Sequence, residues 1–181
     1  MAAKKEPARD EIDEQLEVWV REIPDLDRLT EGIIERIGIL NYNINLGMDE
    51  TLAEYDLDRR SFALLGKLRR IGKPYRASAG KLAADLRLSS GALTNRLDRM
   101  EAAGLIRRLP DPHDRRGTIV EPTELGNSLW DKTVGAAARR ELGYTAVLSA
   151  AEKDALHDLL RKMMSVPDLK HKKHGAAEAD D

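Results

Sequence analysis

The sequence predicts a mainly α-helical fold with one small β-hairpin, and three observations point there. Apolar residues recur at three- and four-residue spacing along most of the chain, the pattern of helices that bury one face. Aromatic residues are only 4% of a chain that is 41% hydrophobic, so the core must rest on Leu, Ile, Val and Ala, which suits packed helices better than a β-sandwich. One stretch, residues 105–121, abandons the helical period for two short extended runs around a polar turn. With 181 residues the chain can hold one domain with a real core and appended arms.

Taken in order, residues 1–10 are polar and are expected to form a flexible N-terminus. Ile12, Leu16, Trp19, Val20 and Ile23 share a stripe that ends at Pro24, giving a short amphipathic helix. A longer helix follows with Leu29, Ile33, Ile37, Leu40 and Ile44 on its stripe, and is expected to stop near Gly47. A third starts around Asp58, turns Phe62, Leu65 and Leu68 inward, and ends at Gly72-Lys73-Pro74. Ser78 caps a short helix carrying Leu82, Ala83 and Leu86. After a break at Leu88-Ser89 comes a helix with Leu93, Leu97 and Met100 inward, stopping at Gly104, a position suited to left-handed backbone. Two helices joined by a tight turn make a helix-turn-helix.

Residues 105–109 and 118–121 read as paired strands around the polar loop 110–117, a β-hairpin wing. Thr123 caps a long helix reaching about Val147, with Leu125, Leu129 and Ala137 on its stripe. Ser149-Ala150-Ala151-Glu152 has capping-box spacing and opens a last helix with Leu156, Leu159, Leu160 and Met163. The tail 167–181 is poor in apolar residues and is expected to be disordered. The fold class is therefore mainly α, a winged helix-turn-helix with flanking helical regions and a small β-hairpin wing.

The net charge of −2 conceals a division along the chain. Between Lys67 and Gly117 thirteen Lys and Arg face five Asp and Glu, so this segment carries +8 and the remainder −10. A basic middle between acidic flanks is the footprint of a polyanion-binding module. The helix after the turn divides by face. Ser90, Gly91, Thr94, Asn95, Arg96 and Arg99 lie opposite its apolar residues. Small and polar groups near a helix N-terminus suit close entry to the DNA major groove, where backbone N–H groups and hydroxyls, including those of Ser78 and Ser89, meet phosphates. Asn95 suits adenine and Arg96 guanine, each worth ~1–3 kcal/mol of base discrimination when bidentate. An ordinary solvated helix face would carry similar residues, Arg99 above all, because Asp98, Glu101 or a wing carboxylate could pair with it. In the wing, His113, Arg115 and Arg116 are candidate contacts. The two arginines either reach the minor groove or pair with Asp111 or Asp114, and Arg116 is the favoured DNA contact.

The span LAADLRLSSGALTNRLDRMEAAGLIRRLPDPHDRRGTIVEPTELG resembles the MarR family of multiple-antibiotic-resistance-type regulators. It has the helix-turn-helix, a glycine followed by Leu-Ile and basic residues, an Asp-x-x-Asp-Arg-Arg wing and a Thr-x-x-Gly start to the next helix. The resemblance extends over roughly residues 12–165. It implies a homodimer of interlocked terminal helices that binds a palindromic operator, usually as a repressor. The physics agrees, because the terminal helices carry apolar faces too wide for one chain of this size to hide. A two-fold dimer sets its recognition helices about 34 Å apart, which predicts double-stranded DNA with an inverted repeat as partner. The implied organisation is dimerisation helices over 11–57, the winged helix-turn-helix over 58–122 and further dimerisation helices over 123–166. Two positions depart from the family pattern. His113 stands where many members have Arg, and Pro122 replaces an apolar strand residue and is expected to shorten the strand.

The additional first helix with Trp19 is similar to the branch that includes urate-responsive regulators. That resemblance implies a small aromatic or anionic effector, with Trp19, Arg96 and Arg108 as candidate contacts. Ala63 stands where the branch has an Asp, so an anion of another shape, or no effector, stays open. Dimer-core packing is the weightier reading of Trp19, and packing also suits Tyr42 and Trp130.

Other classes find little support. No cysteine is present, which removes disulfides, thiolate zinc sites and cysteine nucleophiles. His113 and His157 are separated in the expected layout, and His171 and His174 lie in the tail, so no metal site is expected. There is no Gly-rich phosphate loop, HExxH or G-x-S-x-G, so neither an enzyme nor a cofactor is expected. The N-terminus has no apolar leader and no segment is long enough for a membrane span, which leaves a cytoplasmic protein. The strongest rival is an architectural DNA binder without sequence preference. A protein-interaction winged helix is a third, and the +8 segment weighs against it.

Overall fold

Ten elements follow one another along the described residues, 8–166 of the computed structural model. They are α1 (Glu11–Glu22), α2 (Arg28–Glu54), α3 (Arg59–Ile71), β1 (Ala77–Ser78), α4 (Ala79–Leu86), α5 (Ser90–Ala102), β2 (Ile106–Pro110), β3 (Thr118–Pro122), α6 (Glu124–Thr145) and α7 (Ala150–Met163). The expected disordered tail and most of the expected flexible N-terminus lie outside the described residues. The chain divides into two compact units, one ending at Gly47 and the other beginning at Met48.

The first unit is built on α1 and the first part of α2. Asp10 and Asp13 cap α1 reciprocally, each side chain accepting from the other's backbone N–H. Arg36 of α2 ties the helices together, at 2.7 Å from Asp10 and 3.1 Å from Asp13. Ile12, Leu16 and Gly32 are buried where the two meet. A Cβ at Gly32 would lie 2.9 Å from Arg36 Nη1 and 3.0 Å from Leu16 Cδ1, so a larger residue there would displace the ends of these two side chains.

α2 does not stop near Gly47. One central glycine costs a helix about 1 kcal/mol relative to Ala, and burial of Thr51 and Leu52 in the second unit outweighs it. The second unit's core gathers Leu52, Leu57, Leu64, Leu65 and Leu68 with Leu82, Leu86, Leu93, Leu97, Met100, Ile106 and Val120. These residues join α3, α4, α5 and the sheet, so the helix-turn-helix is held by the same core that holds the wing.

The sheet has three strands, not the two of the expected hairpin. β1 pairs with β3 through Ala77 opposite Val120 and Ser78 opposite Ile119, giving the antiparallel order β1-β3-β2. Two residues are too few for a period-2 signal to show. Pro122 does not shorten the wing strand. It is the last residue of a five-residue β3, opposite Ile106, where a missing N–H is tolerated.

The join to α6 explains the Thr-x-x-Gly sequence. Thr123 Oγ1 donates to the Gly104 carbonyl at 2.6 Å and accepts from the Gly126 N–H at 3.0 Å. The Thr123 N–H donates to the Leu105 carbonyl at 3.0 Å. A Cβ on Gly126 would lie 2.0 Å from the Leu105 oxygen, so no larger residue fits there without movement. The packed stripe of α6 comprises Gly126, Leu129, Trp130, Thr133 and Ala137, so the expected Leu129 and Ala137 face the core while the expected Leu125 is exposed. α7 opens with the full Ser149–Glu152 capping box and buries none of its residues in the single chain.

Candidate nucleic-acid interface

The turn of the helix-turn-helix is set by caps. Ser78 accepts from the Lys81 N–H at 3.2 Å and Ser89 from the Ala92 N–H at 3.2 Å. Each hydroxyl keeps its own O–H to donate outward. Arg87, between α4 and α5, has φ of 54°, the left-handed region, and is exposed. α5 ends in a Schellman motif, with Gly104 at φ 70°, its N–H on the Glu101 carbonyl, and the Leu105 N–H on the Met100 carbonyl.

On α5, Leu93, Leu97 and Met100 are buried, while Ser90, Gly91, Thr94, Asn95 and Arg99 are exposed and Arg96 is half-buried. Thr94 donates its hydroxyl to the Ser90 carbonyl at 2.9 Å, so outward it offers only an acceptor. Arg99 Nε donates to the Asn95 carbonyl at 3.3 Å rather than to a carboxylate. Burial first, then the charges of Arg60 and Arg99, pull the Arg96 guanidinium below its ordinary range, against the opposing pull of Asp58. Nothing lies within 4 Å of a Cβ placed on Gly91.

The wing loop is held by its own acids. Asp111 accepts from the His113 N–H at 2.9 Å, Asp114 from the Arg116 N–H at 2.9 Å, and the Gly117 N–H donates to the Asp114 carbonyl at 2.8 Å. The carboxylates thus shape the backbone instead of neutralising the arginines. Among the described residues, no ion pair engages Arg115 or Arg116, and both are exposed, as is His113.

Several other cations of the basic segment are engaged internally. Glu121, its side chain only 5% exposed, takes both Arg76 and Arg107. Burial pushes its carboxyl up, but the two guanidiniums outweigh that and hold it below its ordinary range. Arg69 pairs with Asp131 and lies over the rings of Tyr75 and Trp130. Lys81 pairs with Asp85. Arg108, a candidate effector contact, pairs instead with Glu101 at 2.6 Å and Asp98 at 2.7 Å. Trp19, in the first unit, is 53% exposed in the single chain. Charge counting along the sequence did not single out Arg60 and Arg87, and could not separate Arg76 and Arg107 from the available cations, because their partners are distant in sequence.

Among the described residues no group of three His, Cys, Asp or Glu is placed to hold a metal ion, and no helix is long and apolar enough to cross a membrane. A basic winged helix-turn-helix with an exposed polar face on its second helix defines a DNA-binding transcription-regulator class. The model of the MarR family matches residues 57–118. The HTH-type transcriptional regulator PecS of Dickeya dadantii is 33% identical over 156 residues, 84% of this chain and 92% of PecS. Among solved structures, apo wild-type MarR from E. coli aligns with a TM-score of 0.61 at 27% identity, over 72% of this chain and 94% of that one. A point mutant of the same protein, complexed with operator DNA, aligns with a TM-score of 0.52 at 29% identity, over 72% and 95%. The chain belongs to the MarR family and is a transcriptional regulator.

Proposed function

We propose that this regulator binds a specific inverted-repeat operator as a homodimer and acts as a repressor. The observation that carries the reading is the division of the basic side chains. Arg96, Arg99, Arg115 and Arg116 stand outside ion pairs among the described residues, while Arg69, Arg76, Lys81, Arg107 and Arg108 are neutralised within the fold. Cations kept from internal carboxylates beside an exposed Asn95 suit phosphates and base edges. Ser78, Ser89, Ser90, Gly91, Thr94 and His113 complete the proposed contact set. The operator-bound MarR relative supports the same use of the fold.

Dimerisation is supported by apolar surface that the single chain leaves open. Seven Ile and Leu residues of α2 between Ile33 and Leu46 are each 37–53% exposed, and Leu156, Leu159, Leu160 and Met163 of α7 are 38–59% exposed. Exposure of this kind in a soluble regulator calls for a second copy. A small anionic or aromatic effector belongs to the same reading, with Arg96 as a contact in the second unit. Arg108 would have to leave Glu101 and Asp98 to join it.

The test is selection from a random duplex library, followed by fluorescence anisotropy of the enriched duplex against a scrambled one at near-physiological salt. An enriched inverted repeat bound at least ~10³-fold tighter is the expected result. Equal binding of both, with no enrichment, overturns the reading and leaves a sequence-indifferent architectural protein.

A further inference from the structure

The last turn of α5 and the first residues of β2 are joined by an ion triad made by Asp98, Glu101 and Arg108. Glu101 accepts the Arg108 backbone N–H at 2.9 Å through one carboxylate oxygen. Its other oxygen accepts Arg108 Nε at 2.8 Å and Nη2 at 2.6 Å. Asp98, one turn earlier on the same helix, takes the same Nη2 at 2.7 Å. The guanidinium therefore spans two carboxylates of the reading helix, and the strand backbone is gripped as well. Arg108 is paired across the sheet with Val120, whose side chain is fully buried. The strand end of the triad is thus fixed to the core.

We propose that Glu101 and Arg108 are positioning residues that set the angle between the recognition helix and the wing. The proposal rests on the DNA-binding reading and deepens it. The Schellman turn at Gly104 lets the chain reverse direction but does not by itself set the angle between helix and strand. A guanidinium that puts Nε and Nη2 on one Glu101 oxygen and shares Nη2 with Asp98, while the other Glu101 oxygen holds the strand N–H, resists pivoting there because several directions are fixed at once. Base contacts from α5 and minor-groove contacts from the wing then fall on DNA together. Arg108 is also the one cation at this junction held by two acids, so it contributes little attraction to phosphate.

Electrostatics and positioning predict opposite signs for one substitution. Glu101→Gln removes a negative charge beside a polyanion-binding face, which by charge alone tightens binding to every duplex. If Glu101 positions, affinity for the selected inverted repeat falls about tenfold or more, the size of a lost base contact, while affinity for scrambled duplex holds or rises. Arg108→Lys keeps the charge but loses the fork, and is expected to restore part of the discrimination that Arg108→Ala loses. Circular dichroism melts on each variant identify those that remain folded. If Glu101→Gln binds the inverted repeat as tightly as or more tightly than the unaltered protein, with discrimination unchanged, the positioning role is wrong and the DNA-binding reading stands. If the unaltered protein itself does not discriminate, both fall together. Should Glu101→Gln not fold, the comparison of Arg108→Lys with Arg108→Ala decides, and equal discrimination by those two overturns the proposal.

Discussion

Gly91 is a residue of the candidate contact face whose identity the folded chain does not require. Its φ is not in the left-handed region, and a Cβ there meets nothing within 4 Å. A glycine in the first turn of a helix costs stability, so Gly91→Ala is expected to stabilise the protein by about 0.5–1 kcal/mol in urea unfolding. The same methyl would stand between α5 and a groove wall, so anisotropy is expected to show about tenfold weaker operator binding. A variant that gains stability without losing affinity would remove Gly91 from the contact face. Glu121 is the reverse case, a residue the fold does require. Its carboxyl is held below the ordinary value of 4.5. A depressed folded-state value means that its stabilisation is complete above the ordinary value and is lost as pH falls through the depressed one. Glu121→Gln is expected to lower stability by about 1–2 kcal/mol at neutral pH, with the gap in urea midpoints closing in acid. A gap that is constant from pH 7 to pH 3 would contradict this.

At the scale of elements, the wing–α6 connection depends on close backbone approach as well as on the shared core. Gly126→Ala is expected to cost about 1–3 kcal/mol, because α6 must move off the Leu105 carbonyl. A thermal melt against Gly135→Ala, where the nearest atom to an added Cβ is the flexible Arg139 guanidinium at 3.6 Å, provides the control. Most elements were legible from periodicity and caps. α3, α4, α5 and α7 begin within about a residue of the Asp58, Ser78, Ser89 and Ser149 signals, since capping chemistry is local. What was not legible depended on distant partners. β1 exists only because Val120 and Ile119 lie beside it, α2 passes Gly47 because Leu52 is buried, and the Gly126 and Thr133 part of the packed stripe of α6 carries no hydrophobic signal. The contact residues showed by type and face, but the engagement of Arg76, Arg107 and Arg108 required the fold.

For the whole molecule, the proposed dimer puts the state of assembly on the apolar residues of α2 and α7, which the single chain leaves exposed. Leu160 of α7 is 40% exposed in the single chain, so Leu160→Glu is harmless to a monomer but buries a charge in a dimer. Sedimentation velocity is expected to show a shift from dimer to monomer with helix content retained. Affinity for the full inverted repeat is then expected to approach that for a half-site. If the variant sediments like the unaltered protein, α7 lies outside the interface.

Thr123 has a mechanical meaning beyond its role as a cap. It holds the Gly104 and Leu105 carbonyls, the two residues at which the reading helix hands over to the wing, and α6 begins one position later. With so little chain between the grip and the helix, there is no slack to absorb rotation. A tilt of α6 would therefore be felt first at the Gly104–Leu105 junction, where α5 ends and β2 begins.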